Sequence, residues 1–168
     1  PQRFRFGAPW VYADELVLDR RSRAVPAGSI GLVADAERQP FAVAALNPGS
    51  KIAARILALD PEVEIGQDWL RARIAAALEL RARLYPTPFY RLIHAEADGL
   101  PGVVADRYGD TVVLQPNAAW ADAMRDALPE ALVAVTGATC VYLNAAGRAR
   151  KQEGLDDVSQ PLTGAAPR

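Results

Sequence analysis

Cys140 is the chain's single cysteine, and a thiol can serve as a nucleophile, a metal ligand or half of a disulfide. With no second cysteine in the sequence, a disulfide within the chain is excluded. The residues around it, Thr139-Cys140-Val141-Tyr142, form an apolar pattern typical of a strand, and no His or Lys lies beside the thiol to activate it. We therefore expect a buried structural cysteine in a protein of a reducing compartment, the cytoplasm.

A second candidate for chemistry is the alternating set His94, Glu96 and Asp98. On an extended strand these side chains share one face, where they could bind a divalent metal or act in acid–base catalysis. No second cluster supplies further ligands, and the strand must end at Gly99. The pattern favours a structural role, with Asp98 capping the turn at Gly99, and predicts neither a metal site nor catalytic residues.

Basic residues form the third candidate set, because Arg and Lys contact RNA phosphates. Arg71, Arg73 and Arg83 fall on a predicted helix among acidic residues and indicate a solvated face. Three other groups lie in predicted loops or beside a strand, where they are better placed to meet phosphate, although ordinary surface charge remains the alternative. The predicted RNA-binding residues are Arg20, Arg21, Arg23, Lys51, Arg55, Arg148, Arg150 and Lys151.

The charge balance limits how such a protein could bind nucleic acid. The net charge is −1, which excludes a strongly polycationic binder but leaves room for a local basic surface. Residues 1–60 contain eight Lys and Arg against six Asp and Glu, so the small positive excess lies in the first part of the chain. No run approaches the roughly 20 apolar residues of a membrane span, and we expect no membrane partner.

The residue pattern in the first part of the chain predicts β structure. Turn-forming residues such as Asn47-Pro48-Gly49-Ser50 separate short apolar runs, and Asp60-Pro61 closes the region. Closely spaced strands without a helix between them predict a small β-barrel over residues 1–62. The predicted strands are Trp10–Tyr12, Ile30–Ala34, Phe41–Leu46 and Ile52–Leu59.

The second part, residues 63–168, mixes helix and strand patterns. Apolar residues at helical spacing predict helices over Ile65–Leu84 and Ala118–Val135, the second with a kink or restart at Pro129. Arg107-Tyr108-Gly109-Asp110 predicts a hairpin turn. The predicted strands are Phe89–Ala95, Val103–Asp106, Thr111–Gln115 and Thr139–Leu143.

Three motifs resemble a known family. Arg5-Phe6-Gly7-Ala8-Pro9-Trp10-Val11-Tyr12 and Asn47-Pro48-Gly49-Ser50-Lys51-Ile52-Ala53-Ala54-Arg55 look like the opening and the end of a PUA-type RNA-binding domain. The run from Tyr90 to Gly109, together with Arg150-Lys151-Gln152-Glu153-Gly154-Leu155, is similar to the middle domain of the S-adenosylmethionine-dependent large-subunit rRNA cytosine-C5 methyltransferases. The resemblance covers essentially the whole chain in order.

The resemblance implies an α+β protein: a small PUA-like β-barrel, whose N-terminal strand would precede Pro1, then a strand-strand-helix-strand α+β domain. It implies that the chain recognises and positions ribosomal RNA for an attached Rossmann-like methyltransferase domain, with the target nucleotide left open. S-adenosylmethionine would bind that further domain, because no glycine cluster here has G-x-G spacing at a strand-to-helix junction. Trp10 and Tyr12 are candidates for stacking on RNA bases.

Other interpretations stay open at this stage. The chain could be a stand-alone module that binds RNA or docks a protein partner without catalysis. It could also be a complete small enzyme that uses His94, Glu96 and Asp98, the weakest of the three readings. The sequence is compatible with a homodimer and does not determine the oligomeric state.

Overall fold

The structure, a computed structural model, describes residues 2–164, including all side chains except those of Gln2 and Arg5. Contacts along the chain divide it after Glu64 into two compact units. We refer to them as the N-terminal unit, ending at Glu64, and the C-terminal unit, beginning at Ile65. The sequence predicts the boundary two residues earlier, between residues 62 and 63.

The N-terminal unit is built on a four-stranded antiparallel sheet in the order β1-β4-β3-β2. A 3-10 turn, Ala13–Glu15, follows the first strand. The strands are β1 (Trp10–Tyr12), β2 (Ser29–Ala34), β3 (Pro40–Leu46) and β4 (Ile52–Ala58), and the short helices are α1 (Gln2–Arg5) and α2 (Arg20–Arg23).

Small side chains let this unit form a core despite its size. Ala44 and Ala54 are fully buried and pack with Val11 and Val33 on one face of the sheet. Leu46 lies directly over Gly31, where an added Cβ would come within 2.9 Å of the leucine Cδ1. Every strand is therefore held to the sheet on this face by close apolar packing.

The C-terminal unit is a five-stranded sheet in the order β5-β6-β7-β8-β9 with helices packed against it. All neighbouring strands are antiparallel except β7 and β8, whose parallel pairing requires the helical crossover between them. The strands are β5 (Phe89–His94), β6 (Val103–Tyr108), β7 (Thr111–Pro116), β8 (Cys140–Ala145) and β9 (Val158–Thr163); the helices are α3 (Gln67–Leu84), α4 (Ala119–Ala123), α5 (Ala127–Thr136) and α6 (Arg148–Gln152).

The turn before β6 fixes helix α4 against the sheet. Trp120 is buried and donates its indole N–H to the carbonyl of Pro101 at 2.8 Å. Gly102 has φ +76°, and a Cβ there would lie 2.5 Å from the Cβ of Ala118. Glycine is required at this position both by its backbone conformation and by the close approach of the next element.

The α+β class is confirmed, and most predicted elements occur within one or two residues of their expected bounds. The predicted helix over Ala118–Val135 is two helices, which break at Met124–Asp126 rather than at Pro129. Pro129 is the third residue of α5, where a backbone N–H would have no partner inside the helix, so proline is tolerated.

In the C-terminal unit, helix α6 and strand β9 were not predicted. The sequence of β9 is polar and contains Pro161, which cannot donate a ladder hydrogen bond. Because β9 pairs only with β8 in this sheet, proline is tolerated there. Among residues 2–164, no helix has the length and apolar character needed to cross a membrane.

Candidate nucleic-acid interface

Helix α2 carries three of the predicted RNA-binding residues, and its structure differs from the predicted loop. The sequence predicts a loop for this group, but the residues form a helical turn that Asp19 caps. The Asp19 carboxylate accepts the Ser22 amide at 2.8 Å, and the Ser22 hydroxyl accepts the Asp19 amide at 3.2 Å. The Ser22 hydroxyl also donates to the Asp19 carboxylate, at 2.5 Å. This hydrogen bond and the one from the Ser22 amide lower the pKa of Asp19 below its ordinary 3.8.

The side chains of α2 are available to a ligand. Arg20 and Arg21 are exposed, and within the described residues neither forms a hydrogen bond or ion pair through its guanidinium. Arg23 is exposed as well, although its Nε donates to the carbonyl of Leu18 at 3.1 Å. The turn thus presents two uncommitted guanidinium groups on a backbone that a capping box holds.

A second feature is a row of aromatic and cationic side chains across β1 and β4. Trp10 lies opposite Arg55 in the strand register, and the guanidinium carbon is 5.9 Å from the centroid of the indole ring. The ring of Tyr12 meets that of Trp10 edge to face, with 6.4 Å between centroids. Strand alternation places both rings on the face opposite to buried Val11.

Arg3 completes this row, which we call the aromatic row: Arg55, Trp10, Tyr12 and Arg3. Its guanidinium carbon lies 5.9 Å from the centroid of Tyr12. The same group donates to the carbonyl of Trp10 at 2.8 Å and forms an ion pair with Glu15. Glu15 in turn accepts the Tyr12 amide at 2.8 Å, so the 3-10 turn is tied to the strand. The sequence analysis missed Arg3. Its partners Trp10 and Glu15 lie seven and twelve residues further along the chain, and contacts at these separations leave no periodic pattern in the sequence.

An open surface depression of about 460 Å³ lies beside Tyr12. Its floor is held in place because the Ala13 amide donates to the carbonyl of Lys51 at 3.1 Å. Lys51 is exposed, and no carboxylate pairs with it among the described residues. The lining residues are Tyr12, Ala13, Asp14, Glu15 and Lys51.

The basic residues of the segment Arg148–Lys151 lie in different environments. The prediction that Arg150 contacts RNA is corrected by its burial. Arg150 is 2% exposed, and its guanidinium donates to the carbonyls of Pro116 and Asp156 and pairs with Asp122 at 3.0 Å. A group enclosed in this way cannot reach RNA. The sequence could not reveal this, because the carbonyl of Pro116 and the carboxylate of Asp122 come to Arg150 only through the fold.

The remaining basic residues of α6 are at the surface. Arg148 is exposed and has no ion pair within the described part of the chain. Lys151 is exposed and lies 3.8 Å from a carboxylate oxygen of Asp157, a distance at which a surface pair contributes little. These two residues remain candidates for phosphate contacts.

The acidic set around His94 has a structural role, but not the predicted one. Strand β5 ends at His94, and Ala95–Asp98 is a 3-10 turn, so the three side chains do not share a strand face. Both oxygens of Asp98 accept hydrogen bonds from Arg81 at 2.7 Å, and one also accepts the His94 amide at 2.6 Å. Asp98 therefore joins α3 to the end of β5. Among residues 2–164 no cluster of metal-ligating side chains occurs.

Cys140 is buried in β8, as the sequence predicts. It lies at 2% exposure in the C-terminal unit, opposite Thr111 of β7. A thiol in this position packs as a small apolar side chain.

Comparisons with known proteins agree with these units. Residues 1–59 match the family model of the PUA-like domain. Over 95% of its length the chain is 36% identical to a protein of Cronobacter sakazakii named ribosomal RNA large subunit methyltransferase I. Over the part that it covers, the chain is homologous to this methyltransferase, and it spans 40% of the length of that relative.

Solved structures show the same fold for this part of the methyltransferase family. A protein of Streptococcus mutans, described as a SAM-dependent methyltransferase, superimposes with a TM-score of 0.78 at 18% identity. A second methyltransferase structure, determined as a complex with SAH, gives 0.77 at 17% identity. The chain aligns over 99% of its length with each and covers 42% and 41% of them.

The family motifs of the C-terminal unit have structural roles. In the run from Tyr90 to Gly109, Asp98 accepts hydrogen bonds from Arg81, and Gly102 leaves room for the close approach of Ala118. In Arg150-Lys151-Gln152-Glu153-Gly154-Leu155, the arginine is enclosed and the buried Glu153 accepts the Ala119 amide at 3.4 Å. The exposed cations that could meet RNA lie outside these interactions.

Proposed function

We propose that this chain is the RNA-recognition and positioning portion of a ribosomal RNA methyltransferase. The observation that carries the proposal is a set of exposed cations, Arg20, Arg21 and Lys51, within a PUA-like domain; among residues 2–164 no carboxylate pairs with them. The proposed RNA-binding residues are Arg20, Arg21, Arg23, Lys51 and Arg55 in the N-terminal unit and, separately, Arg148 and Lys151 in the C-terminal unit.

The chemistry of these residues suits contact with the RNA backbone. A guanidinium group forks onto two phosphate oxygens, and a free guanidinium need not first break an internal ion pair. Because the net charge is −1, the chain has no long-range attraction for RNA, and affinity must come from a few local contacts. Such contacts release counterions and weaken as salt increases.

The proposal extends to the activity of the whole protein. The motifs that resemble cytosine-C5 methyltransferases support transfer of a methyl group from S-adenosylmethionine to a cytosine of large-subunit rRNA, in the bacterial cytoplasm. The relatives are named as rRNA methyltransferases and are about two and a half times as long as this chain. The cofactor and the reacting base would belong to that further length, and the residues described here would bind and orient the RNA.

The test is binding of the chain to an rRNA hairpin with an unpaired loop, measured by fluorescence anisotropy at 50 and 200 mM salt. If about four phosphates are neutralised, this change in salt lowers affinity roughly a hundredfold. The double variant Arg20→Ala/Arg21→Ala should bind more weakly and lose about half of that salt dependence on a logarithmic scale.

A matched control removes the same charge from a different surface. Arg71 and Arg83 are exposed on α3, so Arg71→Ala/Arg83→Ala also lowers the charge by two. Equal losses of affinity in the two double variants would show a general charge effect and contradict a specific interface on α2. Absence of RNA binding by the unmodified chain would contradict the proposed function itself.

A further inference from the structure

The depression beside Tyr12 has walls that match the chemistry of a nucleobase. We propose that it binds one unstacked RNA base that carries an exocyclic amino group. This inference rests on the proposed function and adds a specific ligand to it. Tyr12 provides the stacking surface, Asp14 accepts the amino group, and Lys51 meets the adjacent phosphate or a base carbonyl.

The stacking surface is exposed and held in position before a ligand arrives. Tyr12 is 37% exposed; its ring meets that of Trp10 edge to face and lies 5.9 Å from the guanidinium carbon of Arg3. The backbone is fixed on both sides of Tyr12, because the Tyr12 amide donates to Glu15 and the Ala13 amide donates to the carbonyl of Lys51. Stacking of a base here costs little conformational entropy of the protein, because the surrounding groups already fix the position of the ring.

The two carboxylates of the depression differ in availability. Glu15 is occupied by Arg3 and by the Tyr12 amide. Asp14 is exposed, and within the described residues no hydrogen bond or ion pair engages its carboxylate. An acceptor next to an aromatic ring recognises an N–H donor in the plane of a stacked base, and cytosine, adenine and guanine offer an amino group where uracil offers a carbonyl.

The charges at the depression oppose a phosphate inside it. Asp14 and Glu15 both line it, against the single ammonium group of Lys51. Because Arg3 pairs with Glu15, the charges left at the depression are those of Asp14 and Lys51. A monoanionic phosphate inside the depression would lie beside the Asp14 carboxylate, whereas a neutral base with its phosphate at the Lys51 side avoids that repulsion. The electrostatics therefore favour a base in the depression and a phosphate at its rim.

Decacytidine and decauridine form a matched pair of probes, because the two bases differ mainly in the amino and carbonyl groups at C4. With 5′-fluorescein labels and anisotropy detection, the chain should bind decacytidine about tenfold more tightly, as expected for a hydrogen bond to a charged acceptor. Asp14→Ala should remove this preference. Glu37→Ala, which removes an exposed acid elsewhere in the N-terminal unit, should leave the ratio unchanged.

Stacking is tested independently at Tyr12. Tyr12→Leu should weaken both oligonucleotides by about 5- to 100-fold, and Tyr12→Phe should retain most of the affinity because it keeps the ring. Thermal unfolding of each variant verifies that the unit folds, and Tyr12→Phe and Asp14→Ala carry the test if Tyr12→Leu does not fold.

The outcomes separate this inference from the proposed function. An unchanged cytidine preference in Asp14→Ala, or unchanged affinity in a folded Tyr12→Leu variant, would overturn the base site. If Arg20→Ala/Arg21→Ala still lowered affinity for the rRNA hairpin, the proposed function would stand without it. If the unmodified chain bound neither oligonucleotides nor the hairpin, both would be overturned.

Discussion

The two units use arginine in different ways. In the N-terminal unit, Arg20 and Arg21 are exposed and have no internal partner among the described residues. In the C-terminal unit, Arg81 and Arg150 are buried and joined to carboxylates and backbone carbonyls. Burial decides the role, because an enclosed guanidinium must satisfy its donors inside the protein, whereas an exposed one can exchange water for phosphate.

This difference limits how far an RNA-binding surface can be predicted from the basic residues of a sequence. Arg148 and Arg150 are two residues apart in the same short helix, yet one is exposed and the other is enclosed. Counting basic residues in a segment therefore overestimates its capacity to bind RNA. The comparison between the units predicts which arginines support stability and which support binding, and the following variants test it.

The largest effect is expected for Arg150→Ala. The substitution leaves the carbonyls of Pro116 and Asp156 without their donor, and Asp122 keeps only its pair with the exposed Arg125, at 3.2 Å. Loss of one partner from a buried pair costs about 3–5 kcal/mol, so the free energy of unfolding of the C-terminal unit should fall by this amount. Urea denaturation gives the value, with Arg148→Ala as the exposed control; equal effects of the two variants would contradict the assignment.

A loss of about 2–4 kcal/mol is expected for Arg81→Ala, which breaks the bidentate pair with Asp98. Asp98 would keep the hydrogen bond from the His94 amide, and one backbone carbonyl, that of Arg91, would lose its donor. Because Arg150→Ala deprives two carbonyls of their donor, the loss at Arg81 is expected to be smaller. Hydrogen exchange of the β5 amides measures the effect locally, because Arg81 also donates to the carbonyl of Arg91. Unchanged protection in β5 would show that the pair does not hold this edge of the sheet.

A smaller, pH-dependent effect is expected at Asp19. Its pKa is lower in the folded chain than the ordinary 3.8, because the Ser22 side chain and amide stabilise the carboxylate. The cap is therefore fully present above pH 3.8 and is lost as pH falls through the folded pKa. NMR titration of the Ser22 amide should show this step, and Asp19→Asn should remove it; a midpoint at or above 3.8 would contradict the cap.

The smallest effect on stability is expected for Arg20→Ala/Arg21→Ala, in contrast to its effect on RNA binding. Both side chains are exposed and make no described hydrogen bond or ion pair, so the free energy of unfolding of the N-terminal unit should change by no more than about 0.5 kcal/mol. Thermal denaturation provides the measurement. A loss above 1 kcal/mol would mean that these arginines support the fold as well as the proposed interface.

The sequence predicted the elements whose patterns are local. The apolar run Trp10–Tyr12 and the helical spacing over α3 each determine one element without reference to distant residues. Strand β9 was not predicted, because a polar edge strand has little intrinsic preference and forms by pairing with β8. Helix α2 was missed because four residues are too few to show a period, although Asp19 and Ser22 carried the capping signal.

By itself, the sequence determined the α+β class, the family resemblance and the list of cations that could meet RNA. Only the tertiary structure decided which of those cations are accessible, because Arg150 is enclosed. It also added Arg3, which was not among them and which contacts Tyr12 and Glu15. The physical reason is that secondary structure depends on neighbouring residues, whereas burial and charge pairing depend on groups that are brought together by folding across the sheets.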